Sequence, residues 1–207
     1  MISTIDLIDH LPNHPVIIEA GAHDGRDTVA MARFAEHVWA FEPVPALYEQ
    51  AREAVSIYGN ISLSPLALGE FEQMRKMWLS GGGPGCDGSS SLMAPAEHYG
   101  SYPQIHFEPE PIKVPVTTIQ AWAQSSEVDH IDGAWLDMQG SELAALKSAG
   151  PILDTLRAVM LEVSLIELYA GCPLWPEVRE WLEDHGFTVV IEDLYSPHAG
   201  DALVVRS

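Results

Sequence analysis

Apolar residues along this chain fall into short blocks that alternate between two periods. Val16, Ile17 and Ile18 form an unbroken apolar run, as expected of a strand covered on both faces. Residues 37–42, 61–68, 131–137 and 158–163 repeat that character. Between the runs, apolar positions return at helical spacing. They include Val29, Ala32 and Ala35; then Val44, Leu47, Ala51, Ala54 and Val55; then Leu143, Leu146 and Ala149; and finally Trp175, Val178, Trp181 and Leu182, stopped at Gly186. A leading helix over 2–10 is broken off by Pro12 and Pro15, and a short helix covers 118–124. Strand and helix in alternation predict an α/β, Rossmann-like doubly wound sheet, mostly parallel and of about seven strands. Residues 187–191 and 202–205 close it as an antiparallel edge pair.

The middle of the chain breaks this rhythm. Residues 71–79 read as a further strand, but 80–91 contain almost no ordering side chains, and Pro95, Pro103, Pro109, Pro111 and Pro115 follow. Because the segment rejoins the sheet, it is read as an insertion, about 80–112, in a single domain spanning 1–207. It either closes as a lid over a site or is a flexible surface excursion.

Composition narrows the partners. A formal charge of −20 repels phosphate backbones and anionic headgroups, so neither nucleic acid nor membrane is expected. Cys86 and Cys172 lie far apart with no ligand-type spacing, and the first ten residues lack a basic and an apolar leader region. No apolar run is long enough to span a bilayer. A cytoplasmic protein is the simplest expectation.

The first strand runs into Glu19 and then a loop with Gly21 and Gly25. Glycine suits such a turn because, lacking Cβ, it takes unusual dihedrals and lets a ligand approach the backbone. The G-x-G-x-x-G spacing of dinucleotide folds is missing. An acid ahead of G-x-x-x-G suits a ligand with an ammonium and a ribose but no phosphate, such as S-adenosylmethionine. A plain strand-to-helix turn would look the same.

Several separated motifs resemble, in order, those of the FkbM family of S-adenosylmethionine-dependent methyltransferases. Glu19-Ala20-Gly21-Ala22-His23-Asp24-Gly25 resembles its acid-x-G-A-N-x-G loop, with Glu19 for Asp and His23 for Asn. Phe41-Glu42-Pro43 matches F-E-P, Ala67-Leu68-Gly69 matches A-L-G, and Gly88-Ser89-Ser90-Ser91-Leu92 matches G-x-S-S-L. Val116-Thr117-Thr118-Ile119 resembles V-x-T-T-L, and Leu136-Asp137-Met138-Gln139-Gly140-Ser141-Glu142 resembles K-I-D-V-E-G-x-E. The resemblance spans about 16–205. It implies an O-methyltransferase acting on a hydroxyl of a small molecule or glycan.

In such a sheet, ligands lie beyond the carboxyl ends of the strands. Cofactor contacts are therefore expected at Glu19, Gly21, Ala22, Gly25, Glu42, Pro43, Ala67, Leu68, Ser89, Ser90 and Asp137. Glu42, expected at an exposed strand end, would accept the ribose hydroxyls, so its removal should spare the fold. Asp137 would meet the sulfonium or the acceptor hydroxyl, or simply cap the next helix. The base is left among His23, Asp137, His98 and His106. Asp137 and Glu162 are also expected to be able to share Mg²⁺. Trp78, Tyr99, Tyr102 and Phe107 would either form an aromatic acceptor wall or pack the insertion. Two rival readings stay open: a nicotinamide-dependent oxidoreductase, and a non-catalytic cofactor-binding or assembly protein.

Overall fold

The computed structural model describes residues 2–83 and 85–207. Met1, inside the expected domain span, and Pro84, inside the expected lid, lie outside the described residues. The central sheet has seven strands: β1 (Val16–Ala20), β2 (His37–Phe41), β3 (Ile61–Ser64), β4 (Gly133–Leu136), β5 (Ala158–Ser164), β6 (Phe187–Asp193) and β7 (Ala199–Arg206). Their order across the sheet is 6-7-5-4-1-2-3. β1, β2, β3, β4 and β5 pair in parallel, while β7 runs antiparallel to both β5 and β6. The chain thus reverses direction of travel across the sheet at β1, which places the crevice between β1 and β4 at a topological switch point.

Helices cover both faces. α1 (Thr4–Ile8) and α2 (Arg26–Ala32) lie on one side, where Leu7 and Met31 pack on Ile17, Val38 and Met160. α3 (Pro45–Val55) follows β2 and buries Leu47, Ala51 and Val55. A one-turn helix, α4 (His98–Ser101), belongs to the insertion. α5 (Ile119–Ser125), α6 (Glu142–Lys147) and α7 (Trp175–Asp184) cover the other face, where Trp122, Leu143, Leu146, Trp175 and Leu182 meet Ile18, Leu136, Leu161 and Phe187. A central strand buried on both sides must be apolar on both sides, which is why β1 shows no alternation. Each large apolar side chain fully buried there contributes roughly 1.5–3 kcal/mol, more than a typical helix cap.

Two expectations change. The run 61–68 is not one strand: β3 ends at Ser64, and Ala67–Leu68 leaves the sheet to pair in parallel with Ile112–Thr117. Pro65 lies between them and has no N–H to continue a ladder. The insertion and the segments flanking it are also more ordered than their composition suggests. Gln73–Met77 pairs antiparallel with Ile112–Thr117, and Ser80–Gly81 pairs with His106–Phe107.

Candidate active site

Beyond the carboxyl ends of β1, β2 and β4 lies a cavity of about 670 Å³, within the size range of small-molecule sites. Its walls include Gly21, Ala22 and His23 after β1, Glu42, Pro43 and Val44 after β2, Ala67 and Leu68, and Asp137 after β4. Gly85, Asp87, Gly88, Ser90 and Leu92 of the insertion complete it. Gly21 sits at φ +91°, and a Cβ there would fall 1.9 Å from the Asp137 carbonyl oxygen. The backbone of the first loop is therefore pressed against β4. Gly21 N and Ala22 N both donate to Phe41 O, and Asp137 N donates to Ala20 O. Gly25, in the left-handed conformation, begins α2 without itself lining the cavity.

Glu42 is 4% exposed, which corrects the expectation of an open strand end. One carboxylate oxygen accepts from His23 N at 2.9 Å and the other from Val44 N at 2.8 Å. It therefore ties the first loop to the second as well as facing the cavity. Burial pushes its carboxyl up to about 7, against the pull of those two N–H groups. Glu42→Ala is thus expected to cost about 2 kcal/mol of stability, by leaving two buried donors unmet, with Glu42→Gln losing less. Urea denaturation of both variants checks this; an unchanged midpoint in Glu42→Ala would show that water replaces the carboxylate.

Asp137 is open to solvent through the cavity but lies deep in the molecule, so desolvation raises its carboxyl from the usual range. Gln139 Nε2 donates to Asp137 Oδ1 at 2.8 Å and to Glu162 Oε2 at 2.6 Å. Burial, then the neighbouring Asp137, pushes Glu162 up as well. These two carboxylates do not fit the expected Mg²⁺ site. An amide donor occupies the position between them, and no group of three or more metal-type side chains is assembled among the described residues. The loop leaving β4 is anchored by Glu142, which accepts from Met138 N at 2.7 Å and Gly140 N at 3.0 Å. Asp137 does not cap the following helix: the N-cap position is Ser141, which makes no side-chain cap bond, and Glu142 braces the loop before the helix instead.

Several other expected residues lie off the cavity. Glu19 is 1% exposed beneath α2, beside Thr28, and does not line it. Burial, together with Asp27, Glu42 and Asp137, pushes its carboxyl up to about 8. Ser89 points its N–H at Ser80 Oγ, while Ser90 Oγ, on the cavity wall, accepts from Ser80 N. His98 is buried against Tyr102, Phe107 and Tyr169, where desolvation lowers its pKa, and neither it nor His106 reaches the cavity. Trp78, Tyr99, Tyr102 and Phe107 are likewise absent from the walls; Tyr102 and Phe107 pack the insertion against Leu168 and Tyr169. His23 and Asp137 remain as base candidates facing the cavity. His23 Nε2 also lies 3.3 Å from Asp87, a contact between the first loop and the insertion that sequence spacing did not reveal.

Residues 19–189 match the model of the methyltransferase FkbM domain. The chain belongs to the FkbM methyltransferase family. This FkbM chain is 27% identical over 162 residues to 2-O-methyltransferase NoeI of Sinorhizobium fredii, covering 76% of the chain. The match spans 66% of that relative, just under two thirds of its length. The fold is that of class I methyltransferases. Magnesium protoporphyrin IX methyltransferase of Synechocystis PCC 6803, solved with bound SAM, superposes with a TM-score of 0.55 at 15% identity, covering 99% of this chain and 76% of that one. A Streptococcus mutans protein in complex with SAH gives 0.57 at 14% identity, with both chains covered in full. At such identities the likeness is one of fold. No helix among the described residues of this FkbM chain is long and apolar enough to cross a membrane.

Proposed function

We propose that this chain is an S-adenosylmethionine-dependent O-methyltransferase whose acceptor is a hydroxyl on a small molecule or glycan. The observation that carries the reading is convergence: the Gly21 loop, Glu42 and Asp137, far apart in sequence, open onto one cavity at the switch point of the sheet. Family membership and the similarity to a 2-O-methyltransferase support the reaction type.

The residues present fit the cofactor. The side-chain-free Gly21 leaves backbone open to a methionine moiety, and each Glu42 oxygen, holding one N–H, keeps a lone pair for a ribose hydroxyl. Val44, Leu47, Leu66, Leu68 and Met77 offer an apolar wall suited to a purine. When bound, S-adenosylmethionine supplies a methyl group on a cationic sulfur. Asp137 lies on the β4 side of the cavity, where its carboxylate could face that cation or hold the proton of the acceptor hydroxyl. His23 offers the second proton acceptor. The insertion residues Asp87, Gly88 and Ser90 close one side and so act as a lid that excludes water and aligns the acceptor for in-line attack. The acidic cavity makes neutral hydroxylated acceptors, handled in the cytoplasm, the natural class, with nucleic acid and membrane disfavoured by the chain's charge of −20.

Calorimetry with S-adenosylmethionine, S-adenosylhomocysteine and NAD tests the cofactor, and methyl transfer to a panel of neutral oligosaccharides and phenols tests the acceptor. Micromolar binding of the sulfur nucleosides with no binding of NAD is expected. Binding of NAD alone would overturn the proposal, and cofactor binding without transfer to any hydroxyl would favour a non-catalytic role.

A further inference from the structure

We propose that Gln139 is a positioning residue, which sets the direction of the Asp137 carboxylate and so lets the site tell a sulfonium from a neutral thioether. The inference rests on the reading that the cavity binds S-adenosylmethionine with its cationic sulfur beside Asp137.

The side chain of Gln139 is fully used. Both carboxylates are bridged by its one amide nitrogen, at 2.8 Å to Asp137 and 2.6 Å to Glu162, while its oxygen accepts from Tyr169 O–H at 2.5 Å. Its backbone carbonyl accepts from Ser91 Oγ at 2.7 Å. With φ at +57°, the residue holds a conformation that side chains rarely adopt, and such strain persists only where surrounding contacts over-determine it. Here contacts arrive from β5, from the segment after it and from the insertion. Tyr169 O–H also lies 3.1 Å from Ser89 O, so the same hub joins Asp137 to the insertion.

The chemistry of that hub explains its form. Asp137 follows β4 and Glu162 lies within the neighbouring β5, and two like charges there repel. A bridging cation would relieve the repulsion but would cancel the charge that Asp137 presents to the cavity. A neutral amide donates to both carboxylates and brings no charge of its own. It also stops the Asp137 carboxylate from rotating. Gln139 also borders the cavity, but its amide is committed to Asp137, Glu162 and Tyr169, so it acts on the ligand through the Asp137 carboxylate.

The test compares affinities for S-adenosylmethionine and S-adenosylhomocysteine, which differ in the methyl group and its positive charge. Calorimetry on wild type, Gln139→Met, Asp137→Asn and the double variant separates the possibilities. Gln139→Met is expected to weaken S-adenosylmethionine about five- to tenfold while changing S-adenosylhomocysteine less than about twofold, with no further loss when added to Asp137→Asn. Tyr169→Phe, which keeps the amide but removes its anchor, should give a smaller selective loss and guards against a Gln139 variant that fails to fold. Equal weakening of both ligands, or losses that add in the double variant, would overturn the inference and leave Gln139 a purely structural residue. A wild-type protein that binds neither ligand removes the underlying reading, and the inference with it.

Discussion

Replacing Gly21 with alanine is expected to cost about 4 kcal/mol of stability or more and to abolish cofactor binding. Two penalties coincide at this position. The backbone is at φ +91°, which strains any residue with a Cβ, and that Cβ would stand 1.9 Å from a backbone oxygen of Asp137. Nothing flexible can yield. The carbonyl belongs to a residue whose own N–H is bonded to Ala20 O, and Gly21 and Ala22 are both bonded to Phe41 O, so relief would have to separate the ends of β1, β2 and β4. Gly59→Ala provides the control, since that glycine has nothing within 4 Å of a built Cβ. Urea denaturation of the two variants should differ sharply, with Gly59→Ala within about 0.5 kcal/mol of wild type. A loss below about 1 kcal/mol at Gly21 would mean that the loop takes another path.

The sheet was legible because burial on both faces leaves an unmistakable mark: β1, β2, β4 and β5 are apolar runs at the expected places, and the edge pair β6 and β7 was found by its position after the last amphipathic helix. What periodicity cannot tell is which strand a segment pairs with. Ile61 to Leu68 looks continuous, yet the missing N–H of Pro65 ends one ladder and Ala67–Leu68 begins another. The order of the segments flanking the insertion was hidden for the same reason. The partners Gln73–Met77 and Ile112–Thr117 are separated by a glycine- and proline-rich stretch whose composition says nothing about the pairing on either side of it.

Within the site, loops that follow strands were easy to assign and side-chain direction was not. Gly21, Ala22, Glu42, Pro43, Ala67, Leu68, Ser90 and Asp137 do line one cavity, because strand ends of a parallel sheet converge by construction. Glu42 was misjudged as open because sequence shows that a carboxylate ends a strand but not that two backbone N–H groups close over it. Glu142 was missed because an acid in the first turn of a helix reads as a surface residue. Its carboxyl is in fact buried and pushed up to about 7, held there by the N–H groups of the turn before it. Gln139 carried no signal, since its role comes from β5 and Tyr169, 23 and 30 residues further on.

Replacing Glu19 with glutamine is expected to stabilise the protein at alkaline pH and to change little at acid pH. Desolvation, with Asp27, Glu42 and Asp137 nearby, pushes this carboxyl to about 8, from an ordinary value near 4.5. A raised acid is protonated in the folded state over a range in which the unfolded chain has already lost its proton. Folding therefore takes up a proton between about pH 4.5 and 8, and the stability present at low pH drains away as pH rises through that window. Above it, the folded state must hold a buried charge that only the neighbouring Thr28 hydroxyl helps to offset, too little to outweigh desolvation. Glutamine matches the protonated acid in shape and cannot ionise, so the difference between variant and wild type should be near zero at pH 4.5 and reach on the order of 3 kcal/mol by pH 9. Urea titrations across that range decide it. A difference that stays flat with pH would place the ionisation of Glu19 in the usual carboxylate range, and water would then have to reach the space beneath α2. Because the neutral acid dominates at neutral pH, Glu19 presents no charge there, and the carboxyls that face the cavity are those of Asp137 and Glu42.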